Sequence, residues 1–217
     1  MKKEGIIFDL DGTMVDNMMV HHYAWQKTLM DLDCYLALDE IIENMHGVNE
    51  EALERLFGDT YDFKQRVEIS RKKESLYRSL FRPKLKLIKG LSSFFKECSD
   101  RKITMSIATA APKANLDFVI DNLGIRYLFQ STLHSGSVSK GKPDPEILLK
   151  SAEVMGVEPD RCLVFEDSPT GVKTANNAEI EVIAITTTHP IKDFKGLRVS
   201  RFLKDYTEIN AKEILDL

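Results

Sequence analysis

The chain of 217 residues carries 30 Lys and Arg against 34 Asp and Glu, a formal net charge of −4 at pH 7. A chain of this length can bury one full domain with a smaller insert, which excludes a short scaffold held by disulfides. The acidic balance offers no general basic surface for nucleic acid or anionic lipid, so we expect a small-molecule partner. The apolar run near the start is cut by Asp9, far short of a signal or membrane-spanning segment, and we expect a cytoplasmic protein with no membrane contact.

The first predicted element is a strand over residues 5–8, Gly-Ile-Ile-Phe, whose apolar faces are typical of a parallel sheet covered by helices. Asp9 and Asp11 follow it at once. Side chains alternate along an extended chain, so these two carboxylates would share a face while Leu10 points away. Two acids in a partly buried place need a cation or a proton to hold them together, and carboxylate oxygens favour Mg²⁺.

The segment from residue 17 to residue 82 has no convincing strand pattern, only candidate helices. We predict that these helices begin near Met18, after Asp39, at an Asn49 cap and after Asp62. We interpret the segment as an inserted α-helical domain. The remaining residues, 1–16 and 83–217, then form a single α/β domain.

Beyond the insertion, short apolar runs alternate with helical patterns. Strands are predicted over 102–109, 161–167 and 179–186, with a further strand and a turn in 131–141. Helices are predicted over 91–98, over 116–123 closed by Gly124, from Asp144-Pro145 to Gly156, and from Ser168-Pro169. Strands alternating with helices predict a doubly wound, Rossmann-like parallel sheet.

Polar residues follow several predicted strands, and ligands of open parallel sheets lie beyond the carboxyl ends of the strands. Thr109 ends one run, Glu166 and Asp167 end another, and Lys142 precedes a helix. Alone, each residue has an ordinary explanation as strand filler, helix cap or solvated charge. Together with the acids after the first strand, they supply the nucleophile, cations and proton donor that phosphoryl transfer needs.

These residues carry a family resemblance. DLDGT (9–13), Thr109, Lys142 in GKPDP and FEDS (165–168) together resemble the haloacid dehalogenase superfamily of phosphotransferases. The insertion is similar to the helical cap of the β-phosphoglucomutase-like subgroup, because HHYAW (21–25) and HGVNEE (46–51) stand where motifs of that cap occur. The resemblance implies an α/β core with a helical cap that closes over a small phosphorylated metabolite.

The resemblance also implies a role for each acid. Asp9 would be the nucleophile that forms an aspartyl-phosphate, and Asp11 would be the general acid and base. Asp9, the backbone carbonyl of Asp11 and Asp167 would hold Mg²⁺, with Glu166 binding directly or through water.

The resemblance also implies which residues would bind the phosphoryl group. These residues are Thr109, Ala110 and Lys142. Lys142 would also keep the Asp9 carboxylate ionised for attack.

Three residues of the insertion are candidate substrate contacts. Lys73 lies in register with the apolar residue Ile69, so either its stem snorkels along the apolar stripe or, as the resemblance favours, its ammonium reaches the substrate. The resemblance implies that His21 touches the acid/base Asp. Glu50 stands where true β-phosphoglucomutases have an arginine for a second phosphate, and an acid there would repel that phosphate.

Hydrolysis is therefore the favoured reaction, by a Mg²⁺-dependent phosphatase that acts as a monomer on a sugar phosphate. A sugar phosphomutase is the alternative if Lys113 or another cation of the insertion replaces the missing arginine. A receiver domain, which accepts phosphate without catalysis, would lack the insertion. A dehalogenase would need no metal and no second acid, so Asp11 and Asp167 argue against it.

Overall fold

The computed structural model describes residues 2–215, with side chains as far as residue 213. These residues form two compact units. The first unit comprises the chain up to Asp16 and from Lys86 onward, and the second runs from Asn17 to Leu85. The predicted insertion ends slightly earlier, at residue 82, and its assignment as a cap domain remains a prediction.

A sheet of six parallel strands lies at the centre of the first unit. The strands are β1 Gly5–Phe8, β2 Thr104–Ala108, β3 Ser131–Leu133, β4 Cys162–Glu166, β5 Glu181–Ile185 and β6 Arg201–Leu203. Their spatial order is β3-β2-β1-β4-β5-β6, so β1 pairs with β2 on one side and β4 on the other. This is the doubly wound order, which confirms the predicted fold class and leaves a crevice at the carboxyl end of β1.

Sequence analysis missed one strand, β6. This edge strand has three residues, begins with the exposed Arg201 and buries only Leu203. A segment this short carries no apolar run or alternation that would distinguish it from a loop. The strand predicted within 131–141 is confirmed as β3.

Helices account for most of the remaining chain. They are α1 Met18–Met30, α2 Leu38–Asn44, α3 Asn49–Phe57, α4 Phe63–Phe81, α5 Leu91–Asp100, α6 Lys113–Asn122, α7 Glu146–Met155, α8 Pro169–Asn177 and α9 Ala211–Leu215. Within residues 2–215, none of these helices is both long and apolar enough to span a bilayer.

Helix α7 starts slightly later than predicted. Pro145 is its N-cap rather than its first residue, and Glu146 begins the helix. The predicted cap, Asp144, still satisfies a helix-end amide, because its Oδ1 accepts a hydrogen bond from the Glu146 N–H at 3.0 Å. Gly156 ends the helix in the left-handed conformation, as predicted.

Aromatic side chains fill one face of the sheet around Phe8. The ring of Phe8 stacks on Phe165 with centroids 5.3 Å apart and meets Phe95 edge-on at 5.3 Å. Tyr206 belongs to the same cluster, and its hydroxyl donates to the Thr13 carbonyl at 3.1 Å. This aromatic cluster therefore fixes the chain on both sides of the first acidic motif.

The second unit has its own apolar core between helices α1 to α4. Its buried members are Trp25, Leu29, Ile41, Met45, Ala52, Leu53 and Ile69. Helix α4 begins as predicted, with a capping box in which Asp62 Oδ1 accepts from the Gln65 N–H and Gln65 Oε1 accepts from the Asp62 N–H, both at 2.8 Å.

The predicted Asn49 cap is wrong. Val48 occupies the N-cap of α3, and Asn49 is the first helical residue. The Asn49 side chain donates instead to Glu74 Oε1 at 2.8 Å, a residue 25 positions away. This charge-assisted hydrogen bond overrides the local capping preference of Asn49. Because its partner is distant in the chain, local sequence patterns could not predict it.

We expect Phe95→Ala to lower the free energy of unfolding by about 3–5 kcal/mol, because it removes a buried ring from the aromatic cluster. Chemical denaturation of the purified protein measures this change. Tyr127 is a matched control, since its ring is 83% exposed and its truncation should cost less than about 0.5 kcal/mol. Equal effects for the two variants would contradict the role given to the cluster.

Candidate active site

The carboxyl ends of β1 and β4 bring three of the predicted acids together. Asp9 follows β1, and Glu166 and Asp167 stand at the end of β4. One carboxylate oxygen from each lies within 4.8 Å of the others, and all three residues are buried. The Asp9 N–H donates to the Phe165 carbonyl at 3.0 Å, so the pairing of the two strands extends to the first acid.

Lys142 joins two of these acids. Its Nζ lies 2.7 Å from Asp9 Oδ1 and 2.6 Å from Glu166 Oε1, and all three side chains are less than one tenth exposed. Burial alone would lower the pKa of the Lys142 ammonium, but the two carboxylates raise it above its ordinary value. The lysine is therefore a fixed positive charge between strands β1 and β4.

The acids carry more negative charge than this lysine balances. Burial raises the pKa of Asp9 to about 8, against the lowering effect of Lys142, and the Glu166 charge adds to the rise. Burial also raises the pKa of Asp167 well above its usual range, assisted by the charges of Glu166 and Asp9. The described acid group therefore favours either a bound proton or a bound cation.

Glu166 is the most fully hydrogen-bonded acid of the three. Its Oε2 accepts from the Asp167 N–H at 2.8 Å and from the N–H and hydroxyl of Ser168 at 3.0 Å. Although burial raises the pKa of Glu166, Lys142 and these donors hold it below its ordinary value. Ser168 caps α8 as predicted by accepting from the Gly171 N–H, and a side chain at position 171 would overlap the Glu166 carboxylate.

Asp11 lies outside this group of close carboxylates among residues 2–213. After β1 the chain turns, with the Gly12 N–H donating to the Val15 carbonyl at 2.8 Å and Gly12 at a φ of +77°. Asp11 is half-buried, and its charge contributes to the raised pKa of Asp9. Its acid/base role and its backbone contact with a metal remain predictions.

Thr109 and Ala110 follow β2, the other neighbour of β1. Thr109 is buried, and its Oγ1 accepts a hydrogen bond from the Ala111 N–H at 3.0 Å. Ala110 is exposed. Both therefore stand at a strand end beside β1, and their phosphate-binding role remains a prediction.

The second unit brings two predicted cap residues together. Lys73 Nζ lies 2.8 Å from Glu74 Oε1 and 2.9 Å from His21 Nδ1. The Lys73 side chain is only 3% exposed, so the snorkelling explanation, which needs the ammonium in water, fails. Because an ammonium only donates, His21 Nδ1 is the acceptor and the ring hydrogen is assigned to Nε2. Glu50 lies in the first turn of α3 and is half-buried.

Some residues of the site were not identified from the sequence. The Thr13 hydroxyl donates to Asp167 Oδ1, the Thr188 hydroxyl lies beside the same carboxylate, and the Thr187 hydroxyl donates to the Gly12 carbonyl. The available signal was a run of three threonines, residues 186–188, that begins at the last residue of the strand predicted over 179–186. Hydroxyl side chains at the end of a strand could have been assigned to the site, because the ends of two other predicted strands carry its acids.

Comparison with known proteins gives a family match over residues 6–185, described as haloacid dehalogenase-like hydrolase. A phosphorylated carbohydrates phosphatase of Thermotoga maritima is 29% identical over 89% of this chain and 89% of its own length. A β-phosphoglucomutase of Bacillus subtilis is 26% identical over 87% of this chain and 85% of its own. These matches bear out the predicted resemblance.

A chloroplastic 5-amino-6-(5-phospho-D-ribitylamino)uracil phosphatase of Arabidopsis thaliana is 25% identical over 98% of this chain, which spans 58% of that relative's length. Among solved structures, a hydrolase of family IA, variant 3, from Entamoeba histolytica matches with a TM-score of 0.90 and 23% identity, covering 98% of both chains. That structure supports the fold.

The phosphatase relatives support the predicted enzyme class, a phosphoric monoester hydrolase. The family match extends from the middle of β1 to the end of β5 and so includes the strand ends that carry Asp9, Glu166 and Asp167. This protein therefore belongs to the haloacid dehalogenase-like hydrolase family.

Proposed function

We propose that this protein is a Mg²⁺-dependent phosphatase that hydrolyses a small phosphorylated metabolite, a sugar phosphate, through an aspartyl-phosphate. The observation that carries the proposal is the Lys142 ammonium placed between Asp9 and Glu166, with Asp167 beside them, at the carboxyl end of the central strand. The phosphorylated carbohydrates acted on by one relative support the substrate class.

The donor set fits a hard divalent cation. Three buried carboxylates with one intervening lysine leave excess negative charge, and Mg²⁺ prefers such oxygen ligands. Asp9, Asp167 and the Asp11 carbonyl would hold the ion, and Glu166 would act mainly by anchoring Lys142. When bound, Mg²⁺ neutralises charge on the phosphoryl oxygens.

Asp9 would perform the covalent step. A lone pair on a carboxylate oxygen of Asp9 attacks phosphorus in line with the leaving group. The bond from phosphorus to the substrate oxygen breaks, and an aspartyl-phosphate forms. The Lys142 ammonium, 2.7 Å from Asp9 Oδ1, favours the ionised carboxylate and binds phosphoryl oxygens. Thr109 and Ala110 would complete the phosphoryl site from the end of β2.

Asp11 would transfer the proton in both halves of the reaction. It donates a proton to the leaving alcohol oxygen in the first step and takes one from water in the second. That water attacks phosphorus and releases phosphate, which regenerates Asp9. The turn that ends β1 would keep the acid/base residue close to the nucleophile while holding its carboxylate apart from the three buried acids.

Hydrolysis is favoured over the phosphomutase reaction because two candidate cations for a second phosphate, Lys113 and Lys73, are each paired with an acid. Lys113 forms a 2.5 Å ion pair with Asp117, and Lys73 is paired with Glu74 within the second unit. Glu50 adds an acid where mutases have an arginine. We propose Lys73 and His21 as contacts for the uncharged part of the substrate and Glu50 as the residue that disfavours a bisphosphate.

We expect Asp9→Asn to abolish phosphate release and Asp11→Asn to slow it by about 10²-fold or more, the scale of general acid-base catalysis. Steady-state phosphate assays with Mg²⁺ measure both changes, and melting temperatures check that the variants fold. Asp100→Asn is the control, since that surface side chain is 63% exposed and paired only within its helix. Turnover by Asp9→Asn would remove Asp9 as the nucleophile.

The raised pKa of Asp9, about 8 because of burial, predicts how Mg²⁺ binding depends on pH. Below that pKa the ion must displace a proton, whereas near pH 8 the carboxylate is increasingly ionised. Mg²⁺ should therefore raise the melting temperature more at pH 8 than at pH 6, measured against samples with chelator. A shift that is equal at both pH values would contradict the assignment of Asp9 as a ligand.

The reaction itself is tested by incubating the protein with phosphorylated sugars and small metabolites and Mg²⁺. A parallel assay follows isomerisation of β-glucose 1-phosphate with a bisphosphate primer. We expect phosphate release from one class of compound and no isomerisation. Isomerisation without net phosphate release would establish the mutase and show that Glu50 does not exclude the second phosphate.

A further inference from the structure

The loop after β5 reaches the candidate site through three consecutive threonines. The Thr186 hydroxyl donates to the Leu203 carbonyl at 3.3 Å and so extends the pairing toward β6. The Thr187 hydroxyl donates to the Gly12 carbonyl, and the Thr188 hydroxyl lies beside the Asp167 carboxylate. The last two residues therefore connect this loop with the turn after β1 and with the acid at the end of β4.

A second hydroxyl reaches Asp167 from the turn after β1. Thr13 Oγ1 lies 3.3 Å from Asp167 Oδ1, and Thr13 is fully buried. The Thr13 backbone is itself held, because its carbonyl accepts from the Tyr206 hydroxyl at 3.1 Å. Two neutral donors, one from each neighbouring loop, thus converge on one carboxylate.

The backbone of Gly12 fixes the space in which these groups meet. A Cβ at position 12 would overlap the Asp167 carboxylate and would lie 2.6 Å from Thr188 Oγ1. Thr188 is therefore packed against the Gly12 backbone, with its hydroxyl beside the Asp167 carboxylate. These two contacts restrict the rotation of the Asp167 carboxylate.

Glu166 and Asp167, the two acids at the end of β4, are held by different kinds of partner. Glu166 pairs with the Lys142 ammonium and with amides at the start of α8, whereas Asp167 is held by hydroxyls. A hydroxyl orients a carboxylate and adds no positive charge, so the charge of Asp167 is left to be balanced by a proton or a bound cation.

We propose that Thr188 is a positioning residue which, together with Thr13, holds the Asp167 carboxylate in the orientation that binds the divalent cation. The proposal rests on the metal site of the proposed function. Partners that orient a metal ligand typically contribute about 10–100-fold in metal affinity or activity. The threonine loop would then be a third wall of the site, beside the ends of β1 and β4.

The test is Mg²⁺ binding by isothermal titration calorimetry, with no substrate present. Thr188→Val removes the hydroxyl and keeps the shape, and we expect it to weaken Mg²⁺ binding about 10–100-fold. Thr188→Ser retains the hydroxyl and should bind Mg²⁺ nearly as well as the wild-type protein. Thr186→Val is the matched control, because it makes the same replacement in the same loop at a hydroxyl that bonds Leu203.

Activity provides an independent signature. If Thr188 acts through the metal, raising the Mg²⁺ concentration should restore the turnover of Thr188→Val toward the wild-type value. Loss of turnover that persists at saturating Mg²⁺ would contradict the positioning role. Should valine prevent folding, as judged by circular dichroism, Thr188→Ala compared with Thr188→Ser gives the same contrast.

Unchanged Mg²⁺ affinity in the folded Thr188→Val or Thr188→Ala protein would overturn the inference. A wild-type protein that binds no Mg²⁺ would overturn the metal site and this inference together. A wild-type protein that binds Mg²⁺ but hydrolyses no phosphate ester would overturn only the proposed phosphatase. The binding and activity measurements therefore separate the two proposals.

Discussion

The ammonium of Lys142 between the Asp9 and Glu166 carboxylates is the interaction on which the rest of the site depends. Burying these charges separately would be costly, and removing one partner of a buried pair typically costs about 3–5 kcal/mol. The lysine comes from the loop before α7, while its partners come from strands β1 and β4. One side chain therefore fixes three segments that are distant in sequence.

Close packing of the backbone around the acids is the second constraint. Gly12 and Gly171 stand where any side chain would overlap the Asp167 or Glu166 carboxylate. At Gly12 the positive φ adds a conformational reason for glycine. The aromatic cluster around Phe8 supplies the rigid support, since it holds the residue before Asp9 and, through Tyr206, the carbonyl of Thr13.

The sequence predicted the parts of this structure whose signals are local. Short continuous apolar runs revealed β1, β2, β4 and β5, and the acids and the lysine stood out because each follows a strand or precedes a helix. The short edge strand β6 carried no such signal. The Asn49 contact with Glu74 and the Thr13 contact with Asp167 join residues 25 and 154 positions apart, so local capping and turn preferences could not predict them.

Each of the two units contains a buried lysine that is paired with a carboxylate. The Lys73 charge is met by Glu74, and Glu74 accepts a further hydrogen bond from Asn49, all within the second unit. The Lys142 charge is met by Asp9 and Glu166 within the first unit. Within the first unit the three acids outnumber this lysine, so a bound proton or cation would complete the charge balance there. Function resides in sites carried by a fold, and the proposed division of roles is that the first unit carries the chemistry while the second unit contacts the substrate.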